Sequence, residues 1–166
     1  TNTPLVNFNL NKKKKENMAL FLIGGPSKHF YWDSKIVLDQ IKNISKKFKF
    51  KKLLITTSRR TPIDFINEFN KLKIKNIKLY EHTKIINDWL DKNIIKVKNI
   101  WVTNDSYSML IEAIASGAYT DILELKTKQG SSLSREINAI KKRIRNNITI
   151  QNEAERVSKF IQKIWF

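Results

Sequence analysis

Three short stretches hold the residues best suited to phosphate chemistry. In Gly24-Gly25-Pro26-Ser27-Lys28-His29 the two glycines allow a tight turn that brings bare N–H groups near a ligand, while Ser27 and Lys28 offer a hydroxyl and a positive charge. Ser58-Arg59-Arg60-Thr61-Pro62 sets hydroxyls beside two arginines, whose planar forks match phosphate oxygens bidentately. Arg59 is the favoured phosphate ligand of the two, since it comes first after the preceding apolar run and can still turn inward. Thr103-Asn104-Asp105-Ser106-Tyr107-Ser108 opens a helix, where Asp105 or Ser106 can cap the orphan N–H groups or leave them, with the positive helix end, to an anion. Each stretch also has a plain alternative: an ordinary turn, a solvated arginine pair, and a capped helix without ligand. The glycine spacing fits neither a nucleotide-hydrolase phosphate loop nor the dinucleotide fingerprint.

These loops need strands behind them and helices after them. Met18–Ile23 is a continuous apolar run, which suits a central parallel strand covered on both faces. Further strands are expected at Lys52–Thr57, Ile77–Tyr80, Asn99–Thr103 and Asp121–Leu125. Helices are expected from Asp33 or Ser34 to about Phe48, after Thr61 as cap with Pro62 in the first turn, over Ile85–Leu90, from the Asp105 or Ser106 cap to Gly117, over Leu133–Ile144 and from Asn152. Strands alternating with helices predict an α/β three-layer sandwich, with a Rossmann-like, mainly parallel sheet of about five or six strands.

A chain of 166 residues with 41% apolar content suits one core, assigned to residues 18–166, while 1–17 reads as a linker or disordered tail. There is no apolar run long enough for a transmembrane segment and no signal-peptide pattern, so a cytoplasmic location is expected. The absence of cysteine, with His29 and His82 as the only histidines, argues against a metal site. The net charge of +17 attracts polyanions. Its lysines are dispersed among isoleucines and asparagines with no nucleic-acid-binding module, so only non-specific, salt-sensitive nucleic-acid binding is expected, as a third functional reading.

Leu22-Ile23-Gly24-Gly25-Pro26-Ser27-Lys28-His29, Thr56-Thr57-Ser58-Arg59-Arg60-Thr61-Pro62 and Val102-Thr103-Asn104-Asp105-Ser106-Tyr107-Ser108-Met109-Leu110-Ile111-Glu112-Ala113, closed by Gly117, resemble three signature blocks of the bacterial and plant family named for a plant mitochondrial-fission protein whose loss elongates mitochondria. The sequence departs from that family's pattern at Ala118-Tyr119-Thr120-Asp121 and at Asn87-Asp88-Trp89. The resemblance implies a domain like the carboxyl-terminal, donor-nucleotide half of a GT-B glycosyltransferase, ordinarily preceded by a further α/β domain. It implies a nucleoside diphosphate or nucleoside-diphosphate sugar as ligand, with no tightly bound cofactor and no metal. Phosphate would lie among Gly24, Gly25, Ser27, Lys28, Ser58, Arg59, Arg60, Ser106 and Ser108. Glu112, about 9 Å along the helix from Ser106, would face the ribose. If active, the whole protein is then a glycosyltransferase whose acceptor site lies in the partner domain, this domain alone being inactive. The alternative is a protein-interaction module that kept the fold and lost catalysis, with a protein partner.

Overall fold

The structure, a computed structural model, describes residues 15–72, 74–85 and 88–145. Glu16–Ile23 forms β1, and its side chains from Met18 to Ile23 are all buried, as an unbroken apolar run requires when helices cover both faces of a sheet. Parallel neighbours flank it: β3 (Lys52–Thr57) on one edge and β5 (Val97–Thr103) on the other. With β4 (Ile77–Tyr80) and β6 (Tyr119–Leu123) outermost, the order is β4-β3-β1-β5-β6. The chain therefore builds outward on one side of β1, returns, and builds outward on the other. The reversal of strand order falls between β1 and β5, where open α/β sheets leave a crevice at the carboxyl ends of the strands.

The helices are α1 (Ser34–Lys47), α2 (Ile63–Lys71), α3 (Trp89–Ile94), α4 (Tyr107–Ala115) and α5 (Ser132–Arg145). Each of the first four turns apolar residues inward, for example Val37, Leu38 and Ile41 from α1 and Phe65, Ile66 and Phe69 from α2. The result is the expected three-layer parallel fold. None of the described helices is long and apolar enough to cross a membrane.

Several boundaries move for identifiable reasons. β1 starts at Glu16 because its N–H reaches the Lys96 carbonyl at 2.8 Å and prolongs the pairing with β5. The helix expected at Ile85–Leu90 forms instead over Trp89–Ile94: the Trp89 ring lies 4.3 Å from that of Tyr80, Asp88 pairs with Lys92 one turn on, and Asn93 bonds the Trp89 carbonyl. β6 ends at Leu123 and does not reach Leu125, because the Asn104 side chain takes both the Leu125 N–H and its carbonyl. Two two-residue strands, β2 (Phe30–Tyr31) and β7 (Lys126–Thr127), form an unanticipated antiparallel pair beside the main sheet. Of the tail expected over residues 1–17, Glu16 and Asn17 belong to β1 and residues 1–14 lie outside the described residues, as does the helix expected from Asn152.

Phe21 sits mid-strand with no exposed surface, its ring stacked 5.4 Å from that of Trp101 on β5. Phe21→Ala should lower stability by about 3–5 kcal/mol in urea titrations. A loss below about 1 kcal/mol would contradict a central position for this strand.

Candidate functional site

The carboxyl ends of β1, β3 and β5 lie together: Ile23 pairs with Thr57, and Leu22 with Val102. At this edge threonine hydroxyls replace the sheet ladder. Thr103 Oγ1 accepts the Gly24 N–H at 2.8 Å, and Thr57 Oγ1 accepts the His82 N–H at 3.0 Å. The Thr61 hydroxyl approaches the carbonyls of Ile23 and Gly24 at 3.0 and 2.5 Å and accepts the Ser58 N–H at 2.9 Å. Thr61 thus ties the arginine loop to the glycine loop and does not cap α2, whose cap position is Pro62.

The closest tie is an ion pair. Asp105, whose side chain has no exposed surface, accepts the Gly25 N–H at 3.0 Å on Oδ2, and the same oxygen pairs with Arg60 Nη2 at 2.8 Å. Arg60 Nη1 donates to the carbonyls of Gly25 and Pro26, both at 3.1 Å. Asp105 Oδ1 is buried without a hydrogen-bond partner among the described residues. One arginine and one aspartate therefore clamp the glycine loop between the ends of β3 and β5.

Space is what requires the two glycines. A Cβ on Gly24 would meet the Asp105 carboxylate at 2.2 Å, and one on Gly25 would meet the Arg60 carbonyl oxygen at 2.0 Å. Their N–H groups, expected to be bare, are taken by Thr103 and Asp105. The free amides of this loop are those of Ser27 and Lys28, which have no partner among the described residues.

The start of α4 is open. Neither expected cap acts: Ser106 makes no side-chain cap bond, Asp105 is engaged by Arg60, and the first turn holds no acidic residue. By contrast Asp33 Oδ1 accepts the Ile36 N–H at the start of α1, Ser131 Oγ accepts the Ser134 N–H at the start of α5, and α2 and α3 carry Asp64 and Asp91 in their first turns. Among the described helices, α4 alone has its positive end met by neither device.

The remaining candidates sort by engagement. The inward-turning arginine is Arg60, where Arg59 was favoured: Arg59 and Lys28 are exposed and unpartnered among the described residues. The loop after β3 is a turn that Ser58 closes by accepting the Arg60 N–H at 3.2 Å, so extended-strand alternation does not carry into it. Ser27 Oγ accepts the N–H groups of His29 and Phe30, closing its own turn. Ser108 is exposed and Ser106 half-buried, and among the described residues no hydrogen bond engages either hydroxyl.

Glu112 has an exposed surface, yet protein packed around its carboxyl and, second, the Asp91 carboxylate on α3 push its pKa above the ordinary range. Outside the three stretches, Lys128 Nζ donates to the Ser27 carbonyl at 3.0 Å, and Ser131 Oγ lies 3.2 Å from His29 Nδ1. These contacts bring the start of α5 against the glycine loop. The readable signal for them was the Gly130-Ser131 cap sequence.

Two outcomes check this geometry. Gly25→Ala should lower folding stability far more than Gly130→Ala, by about 2–4 kcal/mol against about 1 kcal/mol, read by thermal or urea unfolding. The first forces a Cβ onto backbone, whereas the second meets nothing within 4 Å and carries only the strain of φ +75°. For Glu112, a raised native pKa means that ionisation costs folding stability. That cost is absent in acid below the ordinary Glu range, grows as pH rises through that range to the raised pKa, and is complete above it. Glu112→Gln should therefore match the parent's stability in acid and exceed it at neutral pH, read by denaturation across pH.

Comparison with known proteins agrees with the signature loops. No curated protein matches the chain significantly. The model of the family described as mitochondrial fission ELM1 matches it over residues 7–159, which include all three loops and the strands behind them. The chain belongs to the mitochondrial fission ELM1 family.

Proposed function

We propose that this domain binds the diphosphate of a nucleoside-diphosphate sugar, as the donor-side domain of a glycosyltransferase-like protein. The observation that carries the reading is the open positive end of α4 at the reversal of strand order. Its first-turn N–H groups have no side-chain cap there, although Asp105 and Ser106 stand beside them. The Arg60–Asp105 clamp ties to this end the two loops that carry Arg59, Lys28 and the free amides of Ser27 and Lys28, and Ser106 and Ser108 open the helix itself; among the described residues those side chains and amides have no partner. Dipoles and N–H groups fixed before a ligand arrives bind an anion with little reorganisation. Glu112, one and a half turns further along α4, then takes the ribose, its carboxylate oxygens accepting from the hydroxyls. The acceptor site and a general base belong to a partner domain in this reading.

A second reading keeps the fold as a protein-interaction module. It is favoured by the clamp itself, which holds the loops in place with protein groups alone.

Calorimetric titration of UDP, GDP, ADP, CDP and their sugars decides between the two. Saturable binding with a preference for one base is expected, weakened about ten-fold by Arg59→Ala, because an arginine–phosphate contact is charge-assisted. Glu112→Gln should reduce affinity for the nucleotides while leaving inorganic diphosphate unchanged. Equal, negligible heats for every nucleotide would discard the donor-domain reading in favour of the interaction module.

A further inference from the structure

We infer that Arg60 and Asp105 are positioning residues, which set the glycine loop and cancel each other's charge so that the anion is met by Arg59, Lys28 and backbone N–H groups. The ligand half of this inference rests on the diphosphate reading above; the structural half does not.

Arg60 is committed in three directions. Its Nη1 serves the Gly25 and Pro26 carbonyls, and its Nη2 serves Asp105 Oδ2. Asp105 is wholly buried, one of its oxygens has no partner among the described residues, and Arg60 is the one cation paired with it there. The carboxylate stands immediately before the Ser106 cap of α4, at the helix end proposed for the anion. Without Arg60, a buried negative charge would face an incoming phosphate and repel it, and low dielectric around that charge would strengthen the repulsion. With Arg60 in place the pair is neutral, and the field left at the site is that of the helix end and the free cations.

The rival is direct contact. The Arg60 side chain is 43% exposed, so its outward N–H groups are accessible to a phosphate oxygen. The two roles give opposite double-mutant behaviour. If Arg60 positions and neutralises, Arg60→Ala weakens nucleoside-diphosphate binding about thirty-fold or more, and adding Asp105→Asn restores it, since the buried charge is gone and the amide oxygen still accepts the Gly25 N–H. If Arg60 holds the phosphate, the double variant stays as weak as Arg60→Ala.

Affinity is read by calorimetry with UDP, GDP, ADP, CDP and inorganic diphosphate on the full chain. Should Arg60→Ala fail to fold, the double variant is compared with Asp105→Asn alone. Affinities within about three-fold of each other support positioning, and a ten-fold or greater deficit in the double variant overturns it. The same four proteins are melted without ligand, and hydrogen exchange at the Gly25 amide is followed by NMR. Arg60→Ala should lower the melting temperature by about 5 °C or more and speed Gly25 exchange, with Asp105→Asn reversing most of both. Additive effects of the two substitutions on melting would overturn the clamp. If the parent binds no nucleotide, the diphosphate reading fails, and the melting and exchange data alone decide whether Arg60 positions the loop.

Discussion

The loop edge of this domain depends on a carboxylate with no access to water. Burying Asp105 is unfavourable unless the charge is met, and among the described residues it is met by a single guanidinium and a single backbone N–H. A buried ion pair adds little net stability over a well-packed apolar pair, yet breaking one by removing a partner costs about 3–5 kcal/mol. Its consequence is therefore geometric. Arg60 must reach across the glycine loop, Gly24 and Gly25 must lack side chains to let it, and the ends of β1, β3 and β5 are held in one relative placement. Two glycines that look like turn-formers are clearance for a clamp.

That clamp has to be anchored on something stiff, and the sheet provides it. β1 is buried along its apolar run between β3 and β5, and aromatic packing of Phe21, Trp101 and Phe50 thickens the core near it. At the carboxyl edge the composition changes from aliphatic to threonine: Thr56 and Thr57 end β3, and Thr103 ends β5. A threonine keeps β-branched packing toward the strand while its hydroxyl takes a backbone group of the next loop, so the change from sheet ladder to loop pinning leaves few buried backbone groups unpaired.

The fold was legible because unbroken apolar runs of strand length, separated by helical periodicity, have few stable solutions other than a parallel sheet between helices. The three loops were legible as a group because their residue types are unusual at strand ends. Which arginine turns inward was not legible: strand alternation fails in the turn after Thr57, and the partner that selects Arg60 lies 45 positions away at Asp105. The same holds for Asn104, whose side chain ends β6 by occupying the backbone of Leu125, a contact set by the register of two strands. β2 and β7 were invisible because two residues carry no period. Residue types could propose a phosphate site, but they could not separate groups left free from groups holding the loops.

Charge at the site and charge over the molecule act in different ways. The net +17 comes largely from exposed lysines, whose field salt screens over a Debye length of about 8 Å at physiological strength. Such a field attracts any polyanion and selects none. At the sheet edge one arginine is cancelled by Asp105, and the positive potential that remains has a direction, along the α4 axis and toward the reversal of strand order. In the diphosphate reading proposed above, a directed source of this kind favours a ligand whose charge is concentrated at one point. In that reading the domain's general basicity is a poorer guide to a ligand than the orientation of one uncapped helix.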